Sequence, residues 1–394
     1  MAYFPAKKKL LPILLDISRL IGRLAENKLP TGVDRVGIEY IRRYGTCDST
    51  RAVLSQAGYS AVLSRAESQR AFELVLEQRV TSPKATHRFF ANAVWRFLSG
   101  SDANGFLLHT SHSGLERERY LAGMCRQGIR PIVLVHDLIP LTHGEYCRPG
   151  IKEIHRRRMR FVLEYASGIL ANSNDTLESL ASEASRLNLI MPARVVARLA
   201  PGIIAHSRTT RPCEWPFFVM LGTIEPRKNH WFLLHVWRRL VEQLGTAAPK
   251  LVVIGRRGWE CENVIDMLER CESLKGVVIE EAHCSDEKLH AYLQHCQALL
   301  FPSFVEGYGM PLAEALALKV PVLASDLAVF HEIADDIPDY LDPLDGPGWL
   351  ARIQAYAQPN SHEREAQLSR IERFREPTWA EHFERVDAFL ETLR

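Results

Sequence analysis

The chain has 394 residues, 46% of them hydrophobic and 24% charged, with a formal net charge of +2. That length suits roughly two to three soluble domains, enough to bury sizeable cores, and the near-neutral balance offers nucleic acid no overall field, so any anion must be met by a local basic patch. Eight cysteines without a C-x-x-C pair argue against a zinc ribbon or a thioredoxin-type site and suggest reduced thiols in a cytoplasmic setting.

The N-terminal "KKKLLPILLDISRL" begins like a signal peptide, but its apolar run Leu10–Leu15 is short and Asp16 ends it. No stretch approaches the roughly 20 apolar residues of a membrane-spanning helix. In the first half, "PILLDI", "GFLLH", "PIVLVHD", "GILANS" and "RVVARLAPG" read as strands. "VDRVGIEYIRRY" and "IKEIHRRRMRFVLEYA" read as helices between them. Residues 55–100 are ambiguous, since "QRAFELVLEQRV" fits either a helix or a strand. Periodicity breaks at "IIAHSRTTRPCEWP", which marks a domain boundary near 203–214.

The second half alternates cleanly. The short apolar runs "FFVML", "KLVVIG", "GVVIEEA", "ALLF" and "PVLAS" are separated by helical patterns such as "HWFLLHVWRRLVEQL" and "DEKLHAYLQHC". Buried strands joined by amphipathic helices form a parallel sheet. The last stretch, "PTWAEHFERVDAFLETL", is an amphipathic helix with Trp379, Phe383, Val386, Phe389 and Leu390 on its apolar face. The expected class is α/β, with two tandem doubly wound, Rossmann-like domains. These span 1–208 and 209–376, and the helix 377–394 packs back toward the first. Ligands in such folds bind beyond the carboxyl ends of the strands and in the cleft between domains.

Four segments at strand ends carry chemistry. In "LGTIEPRKNH" (221–230), Asn229 reads as a helix N-cap, placing Arg227 and Lys228 beside free backbone N–H groups. Cations there are unfavourable unless an anion joins them, and a diphosphate fits both. The plainer alternative is two solvated loop charges. In "FPSFVEGYGMPLAEALAL" (301–318), Gly307 and Gly309 permit a tight turn and Pro311 suits the first helical position. Glu314 then falls in the first turn, to accept from vicinal hydroxyls or simply to complement the helix dipole. Glu306 lies on the other side of that turn. His136 and Asp137 end the strand of "PIVLVHDLIPL", where a lone histidine is more often structural than catalytic. "PTGVDRVGIEY" offers Gly32 as a weaker anion site.

Taken together, Arg227-Lys228, Gly255 followed by "RRGW", and Glu306 and Glu314 with seven residues between them resemble the retaining glycosyltransferases of the GT-B fold, family 4. The likeness leans to bacterial mannosyltransferases of O-antigen and exopolysaccharide assembly. It covers nearly all of 10–390 and is weakest over 40–105. The resemblance implies that the C-terminal domain binds a nucleotide-sugar donor and the N-terminal domain a saccharide acceptor. His136, Glu306, Arg227 and Lys228 would be catalytic. The donor would be held by Gly222, Thr223, Arg227, Lys228, Gly255, Arg256, Glu306, Gly307, Tyr308, Gly309, Met310, Pro311, Leu312 and Glu314. Glu314 would hold the ribose, and the cationic pair would neutralise the departing diphosphate. Glu306 would approach the sugar, with His136 contacting it from across the cleft. Gly32, Asp137 and Ser173 would line the acceptor side, although Asp34 stands within the usual glycine loop.

The sequence lacks D-x-D, and the resemblance implies no metal and no cofactor. The donor it favours is GDP-mannose, with UDP- and dTDP-sugars open. The acceptor it implies is polyprenyl-diphosphate-linked, which would put the protein peripherally on the inner face of a bacterial membrane. Arg156, Arg157, Arg158, Arg160 and Lys152 on one helix, with Lys7, Lys8 and Lys9, would supply the basic surface. The rivals are a sugar-nucleotide 2-epimerase and a nucleotide-sugar binding protein without catalysis.

Overall fold

The computed structural model describes residues 12–28, 30–77, 104–202 and 209–394. Lys7, Lys8, Lys9 and the 78–100 part of the ambiguous segment lie outside them. The chain divides into two compact units. The first comprises Met1–Leu141, Gly150–Leu199 and Trp379–Arg394, and the second Thr142–Pro149 and Ala200–Thr378.

Among the described residues, the first unit holds a seven-stranded sheet in the order β3-β2-β1-β4-β5-β6-β7. These strands are β1 Ile13–Asp16, β2 Arg51–Gln56, β3 Tyr59–Val62, β4 Gly105–His109, β5 Ile129–Val135, β6 Gly168–Ala171 and β7 Ala193–Val196. All neighbours are parallel except the hairpin β2–β3. "QRAFELVL" resolves as helix, in the element Arg65–Leu76. Its start is fixed by a capping box between Ser64 and Glu67, which satisfies orphan N–H groups at the first turn. Leu107, Val133 and Ile169 bury the sheet interior against Met124, Met159 and Leu180. The final helix, Trp379–Thr392, buries Phe383, Val386, Phe389 and Leu390 within this unit. There the His382 Nε2 and the Tyr40 hydroxyl are hydrogen-bonded at 2.9 Å.

The second unit carries a six-stranded, wholly parallel sheet in the order β10-β9-β8-β11-β12-β13. Its strands are β8 Phe217–Leu221, β9 Lys250–Ile254, β10 Val278–Glu281, β11 Leu299–Phe301, β12 Val322–Ser325 and β13 Asp339–Leu341. Phe218, Trp237, Leu251, Leu300, Trp349 and Tyr356 form its core. Counted from β8, the order is 3-2-1-4-5-6, the doubly wound pattern that leaves a crevice where the winding reverses. That reversal falls between β8 and β11, whose register sets Val219 beside Leu299. The loops after β8 and β11 therefore meet at one point. Among the described residues no helix is long and apolar enough to cross a membrane.

Candidate functional site

At the reversal point of the second unit, the loop after β8 carries Arg227 and Lys228 and the loop after β11 carries Glu306. Lys228 reaches Glu306 Oε1 at 2.5 Å, and Arg227 Nη1 lies 2.8 Å from Oε2. Ser303 donates its hydroxyl to Oε1 at 2.8 Å. Arg227 also lies 2.6 Å from Glu225 through Nε, and donates from Nη1 to the Val305 carbonyl at 3.1 Å. The Lys228 ammonium sits 4.7 Å above the Phe301 ring, a cation–π contact that suits a buried cation.

Burial alone would raise the Glu306 pKa, but Arg227 and Lys228 outweigh it and pull the carboxyl down to about 2. Burial lowers the Lys228 pKa against the pull of Glu306, and raises that of Glu225 despite Arg227 and Lys228. Two cations thus face two carboxylates, of which Glu225 is the readier to take a proton. An incoming anion must compete with these carboxylates for Arg227 and Lys228.

One expectation about this loop is corrected. Arg227 and Lys228 lie, as expected, just before the helix His230–Leu244, in a 3₁₀ turn, Pro226–Lys228. Asn229, between the two, adopts the left-handed region and makes no side-chain cap. Its amide instead donates to the Pro343 carbonyl at 2.8 Å. His230, next in the chain, is 2% exposed, and its burial beside Lys228 holds its pKa near about 3.

The loop after β9 closes the third side. Ile224 N–H donates to the Arg256 carbonyl at 3.0 Å, and Gly258 N–H to the Ile224 carbonyl at 2.9 Å. Gly255 is required by this approach, because a Cβ there would sit 1.9 Å from the Gly222 carbonyl oxygen. Gly222 in turn runs along the Lys228 side chain, 3.2 Å from a built Cβ to Cε. Thr223 joins these two glycine-bearing turns, and its Cγ2 lies 2.7 Å from a Cβ built on Gly258.

The helix after β11 spans Met310–Ala317, with Gly309 at φ +107° as its cap. Pro311 is therefore its second residue and Glu314 its fifth, each one residue further along than the sequence suggested. Glu314 is buried and accepts from the Gly202 N–H at 3.2 Å. Tyr308 is buried with it, after Gly307. Leu312 is fully buried, so its side chain belongs to the core, and its N–H donates to the Gly309 carbonyl at 3.0 Å.

The first unit has its own reversal point, between β1 and β4. Beyond these strands lie groups that the sequence did not single out. Asp16 accepts from the Tyr120 hydroxyl and from Ser18 N–H at 3.0 Å, with His109 Nδ1 at 3.7 Å from its carboxylate. Burial would raise the Asp16 pKa, but His109 and these hydrogen bonds bring it below the ordinary value. His136, at the end of β5, donates from Nε2 to the Thr110 carbonyl at 2.9 Å, which fixes its tautomer. Burial keeps its pKa below the ordinary imidazole value. Its ring lies 5.5 Å from that of His112, which in turn lies 5.2 Å from His155. His155 donates to the Asp137 carbonyl at 3.2 Å. Their only signal in the sequence was position, since His109 and His112 end "GFLLH" and open the following loop.

Two residues expected on the acceptor side have plain structural partners. Ser173 caps the helix Asn174–Leu187, accepting from Thr176 N–H at 3.1 Å. Gly32 opens the helix Gly32–Tyr44, where Asp34 closes a capping box with Thr31 and lies 2.7 Å from both Arg19 and Arg23. The anion position at this helix start is thus filled by the chain's own carboxylate. The expected basic face of the helix Ile151–Tyr165 is also corrected. Arg156 pairs with Glu153, Arg158 with Glu116 and Arg160 with Glu164. Only Lys152 and Arg157 of this set make no ion pair among the described residues.

A model of the family described as glycosyl transferases group 1 matches residues 205–337, within the second unit and across all three of its loops. The chain is 26% identical over 275 residues to the serotype-specific mannosyltransferase WbdA of Escherichia coli, a match covering 64% of this chain and 34% of that one. It is 29% identical over 261 residues to the O-antigen chain mannosyltransferase B of Escherichia coli, covering 64% and 67%. The chain thus spans about a third of the length of WbdA. Among solved structures, Anabaena HepE in complex with UDP matches with a TM-score of 0.64 at 14% identity, covering 98% of each chain. Sucrose-phosphate synthase from Thermosynechococcus elongatus matches with a TM-score of 0.63 at 14% identity, covering 97% of this chain and 99% of that one. The fold is the GT-B fold, and the similarity expected from the motifs, to O-antigen mannosyltransferases, is what the comparisons find.

Proposed function

We propose that the chain is a retaining glycosyltransferase that moves mannose from GDP-mannose to a saccharide acceptor, without a metal ion. The observation that carries the reading is the Arg227–Lys228 pair, held by Glu306 at the reversal point of the sheet that the glycosyl transferase model matches. Mannose is supported by the names of the relatives, and the guanosine base rests on the resemblance alone.

Arg227 and Lys228 meet the diphosphate and stabilise it as it leaves, which is electrostatic catalysis by groups already in place. Glu306 aims these two cations. A carboxylate of pKa about 2, engaged by Arg227, Lys228 and Ser303, is a poor base and a poor nucleophile. Retention then follows from attack on the face that the leaving group vacates, with the sugar held in position. Glu314 offers its remaining acceptor capacity to the ribose hydroxyls. His136, neutral and of fixed tautomer, is suited to a hydrogen bond with a sugar hydroxyl and unsuited to carrying charge.

The narrower proposal is a polyprenyl-diphosphate-linked acceptor reached by peripheral contact with an anionic leaflet. Each basic residue near such a surface contributes about 1 kcal/mol, and Lys152 and Arg157 are the two on the arginine-rich helix available for it. Pull-down by anionic vesicles at low salt, lost at high salt and absent with neutral vesicles, tests that contact. Incubation with GDP-mannose, UDP-glucose and dTDP-rhamnose beside a mannose-terminated acceptor tests the transferase. The expected product is an acceptor heavier by one hexose with α-anomeric configuration. An epimerised nucleotide sugar without transfer, or no turnover of any donor, would reject it.

A further inference from the structure

We propose that the segment Thr142–Pro149 is a working part of the donor site, with Tyr146 the positioning residue that sets the spacing between two donor loops. The segment lies in the sequence between elements of the first unit, yet it packs as part of the second. The inference rests on the reading that these loops bind a nucleotide sugar.

Tyr146 closes a 3₁₀ turn, Gly144–Tyr146, and touches two loops at once. Its ring lies parallel to that of Phe304, with centroids 5.3 Å apart and planes 6° from parallel. The His143 ring also lies near-parallel to that of Tyr146, with centroids 6.1 Å apart. Its carbonyl accepts the indole N–H of Trp259 at 3.1 Å, and the Arg148 guanidinium covers that indole at 5.4 Å. Trp259 belongs to the loop after β9, which is tied by backbone bonds to the loop after β8. Phe304 belongs to the loop after β11, and its N–H donates to the Arg227 carbonyl at 2.8 Å. The next residue, Val305, accepts from the Arg227 guanidinium.

One side chain and its carbonyl therefore bridge the loop beside Gly255 and the loop that presents Glu306. A donor held by its diphosphate on Arg227 and Lys228 must fit the span these loops leave. Stacking fixes that span without touching the reacting atoms. Removing the ring lets the Phe304 loop drift, and with it the Arg227 carbonyl and guanidinium contacts. The loss should appear in donor binding and not in the chemical step.

The test uses the full chain, Tyr146→Ala and Tyr146→Phe, and GDP and UDP as probes. A parallel aromatic pair and its contact area correspond to about tenfold in binding. Tyr146→Ala should weaken nucleoside-diphosphate binding and raise the donor KM by about that factor, with kcat at saturating donor within about twofold. Hydrogen exchange at the Phe304 amide should quicken. Tyr146→Phe, which keeps the ring and the carbonyl, should restore all three. If wild type binds a nucleoside diphosphate and Tyr146→Ala binds it equally well, the proposal is overturned while the transferase reading stands. A loss shared equally by Tyr146→Phe would also overturn it, since the hydroxyl and not the stack would then be responsible. If wild type binds neither nucleotide, the donor-site reading has failed and the proposal falls with it.

Discussion

Glu306 is the residue on which the candidate site turns, because it is buried, ionised and bonded to both cations. Its folded pKa, about 2, lies below the ordinary 4.5. A carboxyl with a depressed folded pKa contributes stability above its unfolded pKa and loses it as pH falls through the folded value. Lys228 works the other way: burial lowers its pKa, so its charge costs folding free energy that Glu306 offsets. Removing the carboxylate leaves that cation buried and unpaired, at a cost of about 3–5 kcal/mol. Glu306→Gln should therefore lower the urea midpoint markedly at pH 7. The gap from wild type should close as pH falls from 4.5 toward 2. A gap that is constant over that window would mean that Glu306 is not the ionised anchor. For the cations, Arg227→Ala and Lys228→Ala should each weaken diphosphate binding by about ten- to a hundredfold, as loss of a charge-assisted contact of about 1.5–3 kcal/mol implies. Binding within twofold of wild type in both variants would make them ordinary loop charges.

At the scale of elements, the parallel sheet of the second unit was readable from "FFVML", "KLVVIG" and "ALLF" because buried strands and amphipathic helices have different periods. The hairpin β2–β3 was not. Its two-residue turn, Ala57-Gly58, takes positive φ at both positions, 55° and 88°, which normally selects Asn or Asp before Gly. Alanine there hides the turn. The cationic loop was legible as a charge pattern, but its 3₁₀ turn and the left-handed Asn229 were not, since both depend on contacts with Pro343 and Glu306. Tyr146 could not be found at all, because its partners Phe304 and Trp259 lie more than a hundred residues away in the chain. Glycine roles separate at this scale too. A Cβ on Gly32 would meet nothing within 4 Å, so Gly32→Ala should leave nucleotide binding unchanged and hold the unfolding free energy or raise it by about 0.4–1 kcal/mol. Lost nucleotide binding in that variant would contradict the filling of this helix start by Asp34. Gly255→Ala should do the reverse, because its Cβ would collide with the Gly222 carbonyl, and a well-folded variant with wild-type affinity would contradict the described loop packing.

For the whole molecule, the net charge of +2 supplies no long-range attraction for an anionic donor, so recognition must be local. The local charge belongs to the protein's own cations, and diphosphate binding should therefore survive chelation of divalent ions. The measurement that tests this most directly is calorimetric titration of GDP, UDP and dTDP into wild type and Lys228→Ala, in buffer containing EDTA. The account predicts saturable binding of a nucleoside diphosphate to wild type in EDTA, weakened at least about tenfold by the substitution. Binding that vanishes in EDTA and returns with Mg²⁺ or Mn²⁺, or that is unchanged in Lys228→Ala, would contradict it.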